Sequence, residues 1–495
     1  MDNKKAIKKL AGETAIYGMS TILARCINFL FLPLYTYYLS TTDYGVLTEF
    51  MAYIAVFQVV LVLGLETGCF RFANKEGNNP NSVFSNALIT VAGTSFLFLL
   101  VMVLFGRGLS ENMGYAGYYN CYIYIGVILF LDSFTAILFA RLRFLSSAWK
   151  FAVIKTIKIL TETGTNLLLF LWLPKYALSH PDTYILNFVS ASPDFSYPVF
   201  SIFISCIVAF VFFIPDLLKF KFSFDRSMWG GLMKYSLPLM IAGLPGVIND
   251  FLDRILFRFF NVDDTLWRSD LGIYQAAVKI AVIMSLFVQM FRFAAEPFFF
   301  SRAKEKGSKE LYAKVMEYFV AFCMLVFLGI VFYIDVIEMI VGRDFRVGMG
   351  IVPIMLLSYV MLGMLFNVSM WYKLTDKSSY AIYITASGLI VTAIINIVFL
   401  PIYSYWAAAW GHFLSYFVML VISVLLGNKH YKIPYNWAKI FVIIALALVL
   451  FGVSRIYIDM NILPRLAINT FLILIFMAGY YFVETKLLKN KNYAS

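Results

Sequence analysis

Residues 82–105, SVFSNALITVAGTSFLFLLVMVLF, run without a single charged side chain. At about 1.5 Å of rise per residue, roughly 20 apolar residues cross the hydrocarbon core of a bilayer, so this stretch reads as a membrane span. Working outward to the polar and Gly/Pro breaks on either side, the same reading divides the whole chain into about fourteen such stretches. They fall at 12–39, 45–70, 82–105, 115–140, 151–173, 198–215, 233–260, 271–298, 312–334, 349–373, 380–401, 404–426, 437–455 and 461–484. The loop 174–197 carries Pro174, Pro181 and Pro193 and is expected to be irregular.

Composition agrees. Of 495 residues, 61% are apolar and only 14% charged, against about 25% charged in soluble proteins. Forty Lys and Arg with 28 Asp and Glu are too few to coat two or three soluble domains. Soluble enzymes, disulfide scaffolds and disordered chains are excluded together. The five cysteines lie in apolar segments and are expected to stay unpaired, and the three histidines join no ligand motif. No cofactor or metal is expected.

The net charge of +12 is mostly a topology signal. With the amino terminus inside, Lys4, Lys5, Lys8, Lys9, the inner loops and Lys486, Lys489 and Lys491 hold most of the basic residues. The outer segments hold Arg107, Lys175, Arg268, Arg343, Arg346, Arg455 and Arg465. Because cytoplasmic loops carry the excess, both termini are expected in the cytoplasm, and nucleic acid need not be invoked. The first apolar run carries Arg25 at its middle and lacks a small-residue cleavage site, so it is expected to remain as a helix.

The first twelve spans form two groups of six. The expected organisation is an amino-terminal lobe at 1–215, a basic cytoplasmic linker at 216–232, a carboxy-terminal lobe at 233–430, and two additional helices with a basic tail at 431–495. The fold class is therefore all-α and polytopic, with two pseudo-symmetric six-helix lobes around a central cavity. Asp43-Tyr44-Gly45 and Asp270-Leu271-Gly272 open corresponding helices, and Phe-Arg-Phe-Ala recurs at 70–73 and 291–294 near their inner ends.

Charges inside spans mark the candidate site, since each costs roughly 2.5 to 3.5 kcal/mol at mid-bilayer on insertion scales. The basic ones are Arg25, Lys155, Lys158, Arg254, Arg258, Lys279 and Arg292; the acidic ones are Glu49, Glu66, Asp132, Glu162, Asp250, Asp253 and Glu296. Thr14, Gly18, Thr21, Arg25 and Asn28 share one stripe of the first helix, which faces either a neighbouring helix or water. Lys158 and Glu162 are spaced to pair, as are Asp250 and Arg254. Pro238, Gly243, Pro245 and Gly246 precede the Asp250 cluster and suggest a bent, cavity-lining helix. Arg71 and Arg292 lie near the inner interface, where anchoring and recruitment of an anionic headgroup both fit. Arginine's planar fork suits phosphate, so the cavity's expected ligand is anionic and phosphorylated. Its carboxylates, Glu66, Glu162, Asp250, Asp253 and Glu296, either balance the empty site or bind a coupling Na+ or H+.

The stretch Gly12-Glu13-Thr14-Ala15-Ile16-Tyr17-Gly18 through Pro33-Leu34-Tyr35-Thr36 to Asp43-Tyr44-Gly45, followed by Gly64-Leu65-Glu66-Thr67 and Phe70-Arg71-Phe72, resembles bacterial polysaccharide flippases. These are the O-antigen and capsule exporters of the multidrug/oligosaccharidyl-lipid/polysaccharide superfamily. Asp253-Arg254, Gly272-Ile273-Tyr274, Ala277, Lys279 and Glu296-Pro297 carry the same resemblance. It implies a transporter of the bacterial inner membrane, making and breaking no bond. The implied cargo is undecaprenyl-diphosphate-linked oligosaccharide, moved outward by alternating access, with Arg25 and Arg254 engaging the diphosphate. Lys279, Arg292, Arg71 and Asn28 complete the expected binding set, and glycan polymerase machinery and membrane lipids are expected partners. Related lipid II flippases carry more than one arginine in the first helix, so the lone Arg25 argues against peptidoglycan precursor. A cation or drug antiporter of the same superfamily and a membrane polysaccharide polymerase are the alternatives.

Overall fold

The computed structural model describes Leu23 and residues 26–260, 266–303 and 305–487. Among these residues the chain is helical with no strand, as uninterrupted apolar runs in lipid require, because a helix satisfies its own backbone polar groups. Chain contacts divide it into two units, Met1–Arg258 and Phe259–Ser495.

In the first unit, helix α1 covers 26–38 and is followed by α2 (Thr41–Val62) and α3 (Leu65–Ala73). Then come α4 (Pro80–Asn112), α5 (Tyr119–Phe144), α6 (Ala148–Leu167), α7 (Leu173–Ser179), α8 (Ser196–Val211), α9 (Ile214–Leu218) and α10 (Arg226–Phe260). Asn79 caps α4 by accepting from the Asn81 amide, with Pro80 at the first helical position where its missing N–H costs nothing. Val83, Phe84 and Leu88 of α4 pack with Ile137 and Leu138 of α5, Phe213 and Leu232 in the unit's core.

The second unit contains α11 (Trp267–Arg302), α12 (Ser308–Phe332), α13 (Ile334–Ile337), α14 (Val352–Val368) and α15 (Met370–Leu374). It continues with α16 (Tyr380–Tyr403), α17 (Tyr405–His430), α18 (Trp437–Ser454) and α19 (Ile462–Phe482). Helices α11, α14 and α17 pack together, α16 lies along α17, and α18 and α19 lean on α12.

Twelve helical runs among the described residues are long and apolar enough to cross a membrane. Two of the expected stretches are not among them. The first lies partly outside the described residues. The fifth does form a helix, but Lys150, Lys155, Lys158 and Glu162 lower its hydropathy. That helix passes through a π turn at Leu168–Trp172 and continues to Ser179, so order extends into the loop expected from residue 174.

The expected second span is two helices. Leu63 and Gly64 both take left-handed backbone angles, φ 56° and 68°, and break the run between α2 and α3. A Cβ on Gly64 would sit 2.6 Å from the Ser236 carbonyl oxygen of α10. Glycine is therefore required twice here, by φ and by the close approach of α10. Helix α10 itself runs through Pro238 and Pro245 without interruption.

Candidate functional site

Arg254 and Arg258 stand one turn apart near the end of α10 and meet different surroundings. Nε and Nη2 of Arg258 hold the two carboxylate oxygens of Glu49 on α2, Nη2 to Oε2 at 2.9 Å. Nη2 also donates to the Tyr115 hydroxyl at 2.9 Å, and Nη1 to the Met113 carbonyl at 3.1 Å. Tyr115 donates to Glu49 Oε2 at 2.5 Å and Tyr53 to Oε1 at 3.3 Å. Glu49 is fully buried, and each of its oxygens has two donors. A bidentate pair satisfied in this way is a structural bolt joining α10, α2 and the α4–α5 connection.

Arg254 is buried, with 8% of its surface exposed. Its Nη1 donates to the Asp250 carbonyl of its own helix and lies 3.4 Å from Asp253 Oδ1; the guanidinium is 5.2 Å from the Phe251 ring. Asp253 is fully buried and Asp250 exposed. Arg25 lies outside the described residues, and Asn28 is exposed on α1.

On α3, Glu66 pairs with Arg143 of α5 at 2.9 Å, while Arg71 is exposed and stacks over the Tyr235 ring of α10 at 4.3 Å. On α6, Lys158 bridges to Asp132 of α5 at 2.5 Å, and the Cys206 thiol lies 3.3 Å from the same carboxylate oxygen. The helix-to-helix partner of Lys158 is thus Asp132, with Glu162 half-buried one turn along. Lys155 is held between the Phe139 and Phe151 rings, 5.5 and 5.3 Å from their centroids.

In the second unit, Lys279 is half-buried on α11. Two turns from the end of the same helix, Glu296 joins Arg292, at 3.5 Å, to Lys373 of α15, at 2.6 Å. Sequence reading overlooked Lys373. It also overlooked a four-membered network: Lys439 of α18, only 2% exposed, meets Glu317 of α12 at 2.7 Å and also Glu484. Lys314 meets Glu317 at 3.1 Å and Glu484 as well. The available signal was a carboxylate six residues inside the 312–334 stretch and a lysine three residues inside 437–455. The network ties α18 and the end of α19 to α12.

The arrangement supplies fixed cations, satisfied carboxylates and aromatic faces. The family described as "Polysaccharide biosynthesis protein" matches residues 10–303. "Lsg locus putative protein 1" of Haemophilus influenzae is 22% identical over 307 residues, 60% of this chain and 68% of its own length. Among solved structures, "Lipid II flippase MurJ, inward closed conformation" aligns with 94% of this chain and 98% of its own at a TM-score of 0.70 and 15% identity. "Crystal structure of MATE in complex with MaD3S" aligns with 87% and 96%, at a TM-score of 0.55 and 14% identity. At such identities the likeness is one of fold.

Proposed function

The chain belongs to the polysaccharide biosynthesis protein family, and from that premise we propose that it is a flippase for undecaprenyl-diphosphate-linked oligosaccharides such as O-antigen or capsule units. The cargo enters from the cytoplasmic leaflet of the bacterial inner membrane, the prenyl tail stays in lipid, and the saccharide leaves on the outer side without a bond made or broken. Both termini lie in the cytoplasm, and polymerase machinery takes up the delivered units. The family match carries this reading, because residues 10–303 contain the whole candidate set: Arg25, Asn28, Glu66, Arg71, Glu162, Asp250, Asp253, Arg254, Lys279, Arg292 and Glu296. Burial of Arg254 inside a membrane-length helix supports it, since an intramembrane arginine is costly without a functional or structural partner. In this reading Arg25 and Arg254 hold the diphosphate, and Lys279, Arg292 and Arg71 guide it inward.

The test is an alanine series at Arg25, Arg254, Lys279 and Arg292 in a host lacking its own exporter, scored by surface polysaccharide. Loss of export with normal insertion supports the arginine site. Full export by all four variants overturns it.

A further inference from the structure

A narrow recess in the second unit, open to solvent and with a cavity volume of about 10 Å³, is lined by Arg292 and Glu296 of α11, Phe366 and Asn367 of α14, and Lys373 of α15. Its hydrogen-bonding capacity is only partly used. Arg292 gives Nε to Glu296 at 3.5 Å, and its two terminal nitrogens have no hydrogen-bond partner among the described residues. The guanidinium lies over the Phe366 ring at 4.6 Å, a cation–π contact that fixes its plane. Lys373 spends one of three donors on Glu296. Two cations therefore share one carboxylate, which leaves one positive charge in excess.

The fourth group is Asn367, 3% exposed. Its Nδ2 donates to the Gly363 carbonyl at 3.4 Å, while Oδ1 is buried with no hydrogen-bond partner. An unsatisfied buried acceptor is costly, and a ligand hydroxyl is the natural group to relieve it. Surplus cationic donors beside a buried acceptor call for a ligand that carries an anionic oxygen and a hydroxyl within a few bonds of each other. A simple oxyanion uses the first feature and ignores the second.

We propose that this recess is a binding site for a hydroxylated oxyacid, with Arg292 and Lys373 taking the anionic oxygens and Asn367 Oδ1 accepting from the neighbouring hydroxyl. On the flippase reading above, on which this part rests, the ligand is an acidic or phosphorylated sugar of the cargo. A glycerol-bearing phospholipid headgroup offers the same chemistry.

The full-length chain in phosphatidylcholine nanodiscs is titrated calorimetrically with glucuronate, glucose 1-phosphate and acetate. Glucuronate and glucose 1-phosphate are expected to bind about tenfold or more tightly than acetate, and Lys373→Gln to weaken both by about tenfold or more. Lys373→Arg restores binding, and Asn367→Leu erases the preference over acetate while acetate binding persists. Equal binding of glucuronate and acetate by the wild type overturns the proposal, as does wild-type behaviour of both Lys373→Gln and Asn367→Leu. Adding phosphatidylglycerol to the nanodiscs separates the sources: competition with glucuronate marks a headgroup site, and its absence marks a cargo site. Failure here leaves the alanine series at the arginines untouched, so the two readings fall separately.

Discussion

At the scale of the residue, Arg258 is committed to Glu49 while Arg254 has its ion-pair neighbour, Asp253, on its own helix. Removing one partner of a buried pair leaves the other charge uncompensated. Glu49→Gln is accordingly expected to cost about 3–5 kcal/mol, read as a lowered thermal unfolding midpoint in detergent. Arg254→Lys keeps a cation beside Asp253 and should unfold as the wild type does. It loses the bidentate fork, however, so export is expected to fall by about tenfold or more, which a surface-polysaccharide assay measures. The sequence made these charges conspicuous, since every one interrupts an apolar run. It did not disclose their partners: Glu49 and Arg258 are 209 positions apart, and only tertiary packing brings them together. The pairing of Lys158 with Asp132 was hidden for the same reason, behind a plausible neighbour one turn away.

Among the elements, the long apolar runs were legible because lipid enforces one solution for each. Their breaks and dockings were less so. The left-handed turn at Leu63 and Gly64 sits inside a stretch of uniform hydropathy, and only the approach of α10 shows why a side chain cannot be added there. Gly64→Ala is expected to cost about 1–2 kcal/mol from the left-handed backbone alone, with more from the clash at Ser236, and circular-dichroism melts in detergent measure it. The attachment of α18 and α19 was also invisible, because Lys439 and Glu317 are 122 positions apart and only the packing shows both buried against each other. Lys439→Ala should loosen these two helices selectively. The expected result is faster proteolytic cleavage at 431–436 and 455–461, with protection unchanged in the first unit; Glu317→Gln should produce a weaker version of the same pattern. Equal cleavage in wild type and variant contradicts this role for the network.

For the molecule as a whole, the all-helical membrane architecture follows from composition and periodicity, and the family from motifs gathered in the first three-fifths of the chain. Arg25 falls outside the described residues, so its proposed role rests on motif resemblance, while Arg254's burial rests on geometry. Energetically, export of a diphosphate needs no chemical fuel: two negative charges moving outward across 100 mV, interior negative, gain about 4.6 kcal/mol if they cross the full field. Collapsing the potential with an ionophore should therefore slow transport in proteoliposomes, and an inverted potential should slow it further. The most direct test of the central claim is translocation of a fluorescent undecaprenyl-diphosphate saccharide by the purified chain in such vesicles, compared with Arg254→Ala reconstituted at equal density. The account expects the wild type to move the lipid-linked saccharide across and the variant to remain near the protein-free rate. Equal rates for the two proteins would contradict it.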